Sequence, residues 1–286
     1  MKRLLLFFFF SAPCLLCGAQ DNVKVNVVYE FSYVRDLENK AVPYEGSMVL
    51  SLGKKSSRYG TAERFENNNR KAIEARRQEQ ERLSNMPSGS TITAVGGPVL
   101  TVGTSGAVVE EEIIKDLAKG KMAIETHLAI RTYRVELPLP VIAWTVTEET
   151  KKIGDYDCQK ATGSFGGRVY EAWFTTQLPY QNGPWKLGGL PGLILEASDS
   201  DKEVVFRFKE LIKNNDPEEI IGSFLHSEYS IKTNIKDLEK AKQAFITDPE
   251  GVMAAQAPGA RVMVKNLDEP SNKTVVKTKN YNPMER

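Results

Sequence analysis

Apolar residues in this chain recur mostly at every second position, in runs broken by short polar turns. "VKVNVVYEFSYV" (23–34), rich in Val, Tyr and Phe, predicts a long first strand, and "GSMVLSLGKKSSRYG" (46–60) predicts one or two more. Strands resume at "MAIETHLAIRTYRVELPLP" (122–140) and continue with few interruptions to "EVVFRFKEL" (203–211). In "GRVYEAWFTT" (167–176), Val169, Glu171, Trp173 and Thr175 share one face, and Tyr170, Ala172, Phe174 and Thr176 share the other. Both faces are partly apolar, as expected where one is core and the other lines a groove. "LILEAS" and "EVVFRF" flank the polar turn "DSDK" and so form a hairpin. "NIKDLEKAKQAF" (234–245) carries Leu238, Ala241, Ala244 and Phe245 on one helical stripe, and "ARVMVKNL" (260–267) reads as a late strand. Long strands joined by turns favour hairpins over parallel crossovers. The expected fold is mainly β (α+β): a curved antiparallel sheet or partly open barrel with a few covering helices.

Three stretches depart from this pattern. The first is "MKRLLLFFFFSAPCLLCGAQ", where Lys2 and Arg3 precede an apolar run and then Gly18 and Ala19. That layout is a secretory signal, with cleavage after Ala19 and one domain over 20–286. The rival is a lipoprotein acylated at Cys17, but Leu15 and Leu16 stand where a small residue is wanted. The second is "TAERFENNNRKAIEARRQEQERLSN" (61–85), almost wholly charged or amide, followed by the Gly/Ser-rich 86–109. Residues 61–122 therefore read as a charged and Gly/Ser-rich insertion between strands of one sheet.

The third is "GPWKLGGLPGLILEASD" (183–199). Gly183–Pro184 and the cluster Gly188, Gly189, Pro191, Gly192 are turn signals. Pro191 fixes its own φ and biases Leu190 toward an extended conformation. Trp185, Leu187, Leu193, Ile194 and Leu195 supply core anchors on either side. The stretch reads as a tightly packed corner feeding a central strand, or as the lip of a pocket. Its Gly189, Leu190, Pro191, Gly192, Leu193 and Ile194 spell the hexapeptide of the GLPGLI family of exported Bacteroidetes proteins. The resemblance extends back through "KKIGDYDCQKATGSFGGRVYEAWFTTQLPYQNGPWKL" (151–187) and reappears in the closing "NYNPMER" (280–286). It implies a secreted or envelope-associated β-rich protein and no established reaction.

Composition narrows the classes. The chain has 38 basic and 37 acidic residues, and loss of Lys2 and Arg3 with a signal leaves 36 basic. A near-neutral protein has no general pull toward nucleic acid or anionic lipid. No segment after the signal is long and apolar enough to be a membrane-spanning helix. Cleavage leaves Cys158 as the single cysteine, so no internal disulfide forms. Cys158 shares a strand face with Tyr156 and Lys160, and its reading is divided between a small buried hydrophobe and a reactive thiol.

Catalytic and metal sets are not recognisable. His127 and His226 lie far apart, without nearby cysteine. Ser51 and Lys54 match one penicilloyl-transfer motif without its companions, and "GTSGA" (103–107) is a near miss to a nucleophile elbow. "DSDKE" spaces Asp199, Asp201 and Glu203 like calcium ligands but lacks the glycine and distal glutamate of a calcium loop. No metal and no cofactor is expected.

Tryptophan and tyrosine are dense around the family motif. Tyr170, Trp173, Phe174 and Trp185 are the candidate lining of a groove for an apolar or peptide ligand. The expected function is therefore an exported, periplasmic or secreted, non-catalytic binding or accessory module. It holds an apolar or peptide ligand or docks to an outer-membrane partner. The alternative is an enzyme with a carboxylate-based site, for which Glu171, Glu196 and Asp199 are the nominees.

Overall fold

The structure, a computed structural model, describes residues 21–68, 74, 78, 99–104, 110–222, 230–256, 261–266 and 282–285. Among the described residues it is mostly β, with three named helices. The alternating apolar runs become β1 (Val25–Tyr33), β2 (Tyr44–Leu52) and β3 (Ser56–Thr61), followed by the short α1 (Ala62–Asn68). Beyond β4 (Val99–Thr104) come β5 (Glu110–Asp116), β6 (Lys121–Leu128) and β7 (Arg131–Pro138). β8 (Thr145–Ile153), β9 (Tyr156–Phe165) and β10 (Arg168–Thr175) form a meander. β11 (Leu193–Asp199) and β12 (Val204–Lys213) make the expected hairpin around the polar turn. The chain continues through β13 (Ile231–Lys232), α2 (Ile235–Thr247), α3 (Pro249–Gln256) and β14 (Arg261–Asn266).

Twelve strands form one sheet in the order β13-β7-β6-β5-β3-β2-β1-β12-β11-β10-β9-β8. Every pairing in it is antiparallel except the edge pair β13–β7. The sheet is open, with β13 and β8 at its edges. β4 and β14 pair separately and in parallel.

One correction to the sequence reading follows. Residues 110–122 are not insertion: β5 sits inside the sheet between β3 and β6. Its opening "EEE" hides the alternation, because Glu112 is buried. The rest of 61–109 lies largely outside the described residues, as do residues 1–20 and His226.

One face of the sheet holds the core. In β1, Val27, Tyr29, Phe31 and Tyr33 point inward while Glu30 is exposed. They meet Met48, Leu50 and Leu52 of β2 on one side and Val204 and Phe206 of β12 on the other. Phe31 and Phe206 stack with ring centres 5.0 Å apart. β9 turns into β10 through Gly166 and Gly167, both at positive φ (58° and 74°), which is the backbone a two-residue hairpin demands.

Candidate functional site

The inner face divides into two regions. The first, beneath β9–β12, is filled by the chain itself. The connection between β10 and β11 leaves its own strands and crosses the inner face as far as β5. Asn182 donates to Ser57 Oγ of β3 at 2.8 Å. The Lys115 ammonium, on the inner face of β5, donates to Asn182 Oδ1 (2.9 Å), Gly183 O (3.2 Å) and Leu187 O (2.7 Å). A buried ammonium with three acceptors has every donor used. Burial nonetheless pushes Lys115 down to about 7.

Lys115 and Ser57 hold the crossing stretch, and glycine lets it close. A Cβ on Gly192 would lie 2.0 Å from the carbonyl oxygen of Thr175, so no side chain fits there. Gly189 has φ +88°, open to glycine and costly for other residues. Leu187, Leu190, Leu193 and Ile194 are buried; Gly189 and Pro191 face outward. Tyr29 Oη donates to Ile194 O at 2.7 Å, tying the corner to the central strand.

The second region lies beneath β1, β2, β3 and β5. Here the face is roofed by α2 and by the end of the chain, and a cavity of about 240 Å³ remains. Phe31, Tyr44, Met48, Tyr59, Ile113 and Trp185 form its walls. Ile235 and Ile246 of α2 and Pro283 and Met284 close it. Asn234 caps α2, its side chain accepting from Asp237 N at 3.0 Å, and so fixes where the roof starts.

The chain end is seated by Arg168. All five guanidinium donors are used: Asp199 Oδ2 (2.5 Å), Glu203 Oε2 (3.0 Å), Asn282 Oδ1 (2.7 Å), Pro283 O (2.9 Å) and Met284 O (3.0 Å). Burial works against the Arg168 charge, but Glu203 and Asp199 hold its pKa above the ordinary value. Asn282 also donates to Val34 O at 2.8 Å, and Glu285 pairs with Lys186.

Charges around the cavity are mostly paired. Lys242 bridges Glu111 and Glu239, the latter at 2.8 Å. Burial would raise the Glu111 carboxyl, yet Lys242 and Lys186 hold it below its usual value. Arg35 stacks over the Tyr44 ring, 5.3 Å from its centre, and makes no ion pair among the described residues.

The four groove candidates are not brought together. Tyr170 and Phe174 are fully buried core, and Trp173 sits on the opposite face beneath the Lys151 ammonium, 4.4 Å from the ring centre. Trp185 alone of the four lines the cavity. The three nominated carboxylates are divided in the same way. Asp199 is buried on Arg168, whereas Glu196 pairs with Lys151 and Glu171 with Lys160 at 3.6 Å. Asp199, Asp201 and Glu203 do converge within 4.8 Å, but Arg168 already supplies the cation between Asp199 and Glu203. Cys158 is 2 % exposed, and burial, with Glu196 nearby, pushes its thiol up to about 11, away from reactivity. Lys160 turns from it to Glu149 at 3.2 Å. His127 hydrogen-bonds Thr132 at 3.2 Å.

Comparison with known proteins agrees with this picture without supplying a reaction. Residues 167–196, which run from the β9–β10 turn through the corner, match the family model described as "Protein of unknown function (Porph_ging)". No curated protein matches the chain. Among solved structures it is similar to PNGF-II in two crystal forms, C2 and P21, at 13% identity and TM-scores of 0.51 and 0.50. The similarity covers 77% of this chain and 33% of PNGF-II, so the chain spans about a third of that protein's length. At that identity the likeness is one of fold. Among the described residues, no helix is long and apolar enough to cross a membrane.

Proposed function

We propose that this protein is an exported, envelope-associated binding module of GLPGLI type that holds the apolar end of a ligand in the cavity beneath β1–β3 and β5. The observation that carries the reading is an aromatic-walled space left open on the inner face of the sheet. Folded interiors close voids unless something maintains them, because an empty cavity costs stability. At about 240 Å³ it falls below the range of about 300–1000 Å³ usual for drug-sized ligands. It therefore suits one apolar group, with the remainder of the ligand outside. The signal-like first 19 residues and the resemblance of the 151–194 and 280–286 segments to exported proteins support the compartment.

Native mass spectrometry of protein purified from its own envelope, paired with titration of the neutral dye N-phenyl-1-naphthylamine, tests the reading. A bound small molecule, and dye binding lost in Ile113→Trp, is the expected result. Protein that carries no molecule and takes up no dye overturns it.

A further inference from the structure

The cavity mixes aromatic walls with paired charges, and two polar groups on its lining residues are left unsatisfied. Tyr59 is 3 % exposed, and its hydroxyl has no hydrogen-bond partner among the described residues. Arg35 Nη1 is likewise buried without a partner. Both residues line the cavity. Buried donors without acceptors are rare because each forfeits its hydration with nothing in return. Here two occur on residues that line one cavity, and each can donate. Burial, with Tyr29 and Tyr44 nearby, raises the Tyr59 phenol well above its ordinary pKa, so it remains a neutral O–H donor. The other charged groups on the wall are engaged: Lys242 with Glu111 and Glu239, and Lys186 with Glu285.

We infer that the ligand is an apolar carboxylate, with an aromatic or branched body against Phe31, Tyr44 and Trp185, its carboxyl group on Arg35 and an acceptor oxygen on Tyr59. The inference rests on the binding role proposed above and adds the chemistry of the head group. A guanidinium recognises a carboxylate through charge-assisted hydrogen bonds. Stacking on Tyr44 holds its plane in place before the ligand arrives. A cationic guest would instead face Arg35 and find two donors where it needs acceptors. A free small acid and the C-terminal residue of a peptide present this same chemistry.

Calorimetric titration with N-acetylphenylalanine and with a tetrapeptide ending in phenylalanine, each against its C-terminal carboxamide, tests the inference and separates the two sources. Each carboxylate that fits is expected to bind about tenfold more tightly than its amide, the effect of one charge-assisted hydrogen bond. Arg35→Gln should abolish that preference. Tyr59→Phe should weaken carboxylate binding by about tenfold. Tyr59→Phe removes only an unpaired hydroxyl, so it should fold as the parent does, and its melting curve verifies this. Equal binding of acid and amide, or a carboxylate affinity unmoved by either substitution, overturns the head group while dye binding leaves the cavity role standing. Failure of dye and carboxylates alike overturns both.

Discussion

The two regions of the inner face solve the same problem in opposite ways. Beneath β9–β12 the sheet is covered by its own β10–β11 connection, fastened by Lys115 and by Tyr29, with Gly192 allowing backbone-to-backbone approach. Beneath β1–β3 and β5 the cover comes from α2 and the chain end, and it leaves a void with two unsatisfied donors. Trp185 belongs to both: it packs on Phe165 at 5.5 Å between ring centres and forms one wall of the cavity. The region that carries the conspicuous sequence motif is thus filled by its own chain. The cavity region takes Trp185, Pro283 and Met284 from motif-bearing stretches, while its remaining walls come from strands without a motif. Glycine and proline announce a difficult backbone, whereas a binding cavity is defined by what is missing between residues distant in the chain.

If the corner is architecture, breaking it should cost the most. Gly192→Val drives a side chain into Thr175 O and is expected to destabilise by about 3–5 kcal/mol or prevent folding. Glu196→Gln, on a half-exposed side chain in the following strand, should stay within about 0.5 kcal/mol. Thermal or urea unfolding measures both. A Gly192→Val protein that melts normally but loses ligand would move the site into the corner.

Lys115→Met should come next. It leaves Gly183 O and Leu187 O without their buried donor, at an expected cost of about 2–4 kcal/mol by urea unfolding. A neutral result would mean that the crossing stretch is held by its apolar anchors alone.

How much of this was legible beforehand follows from sequence distance. Period-2 runs located β1, β2, β10, β11 and β12, because strand alternation is a local property and turn residues mark its ends. The corner was legible for the same reason: two turn clusters four residues apart state that the backbone bends. β5 was missed because three consecutive glutamates mask its alternation, and one of them is buried. Nothing local in the sequence marks Lys115 and Arg168, since their partners lie 67–72 and 31–116 residues away. Of the four aromatic residues singled out in the sequence, only Trp185 lines the cavity. Tyr170 and Phe174 share Trp173's strand but turn into the core, while Phe31, Tyr44 and Tyr59 come from strands more than 100 residues earlier.

The pH dependence of the Lys115→Met cost tests how Lys115 holds its proton. Its folded-state pKa is lowered to about 7 from an ordinary 10.5. Between those values the unfolded chain binds a proton that the folded chain does not, so stability rises with pH across that window and is flat below it. Wild type should gain on Lys115→Met by up to about 1 kcal/mol per pH unit between pH 7 and 10. A constant gap across that range would show the three acceptors holding the ammonium charged, with burial outweighed.

The smallest effect separates the regions most cleanly, because it compares the same substitution in each. Tyr29 and Tyr59 are both buried tyrosines on the inner face, on β1 and β3. Tyr29 Oη donates to Ile194 O, and Tyr29→Phe leaves that carbonyl without the bond, costing about 1–2 kcal/mol. Tyr59 Oη has no partner among the described residues, and Tyr59→Phe removes a desolvated hydroxyl that gains nothing. The free protein should be unchanged or stabilised by up to about 1 kcal/mol. Saturating carboxylate should reverse that sign, since the hydroxyl then has an acceptor to lose. Equal losses from both substitutions in the free protein would mean that Tyr59 is already satisfied within the fold, and the cavity region would be as complete as the corner.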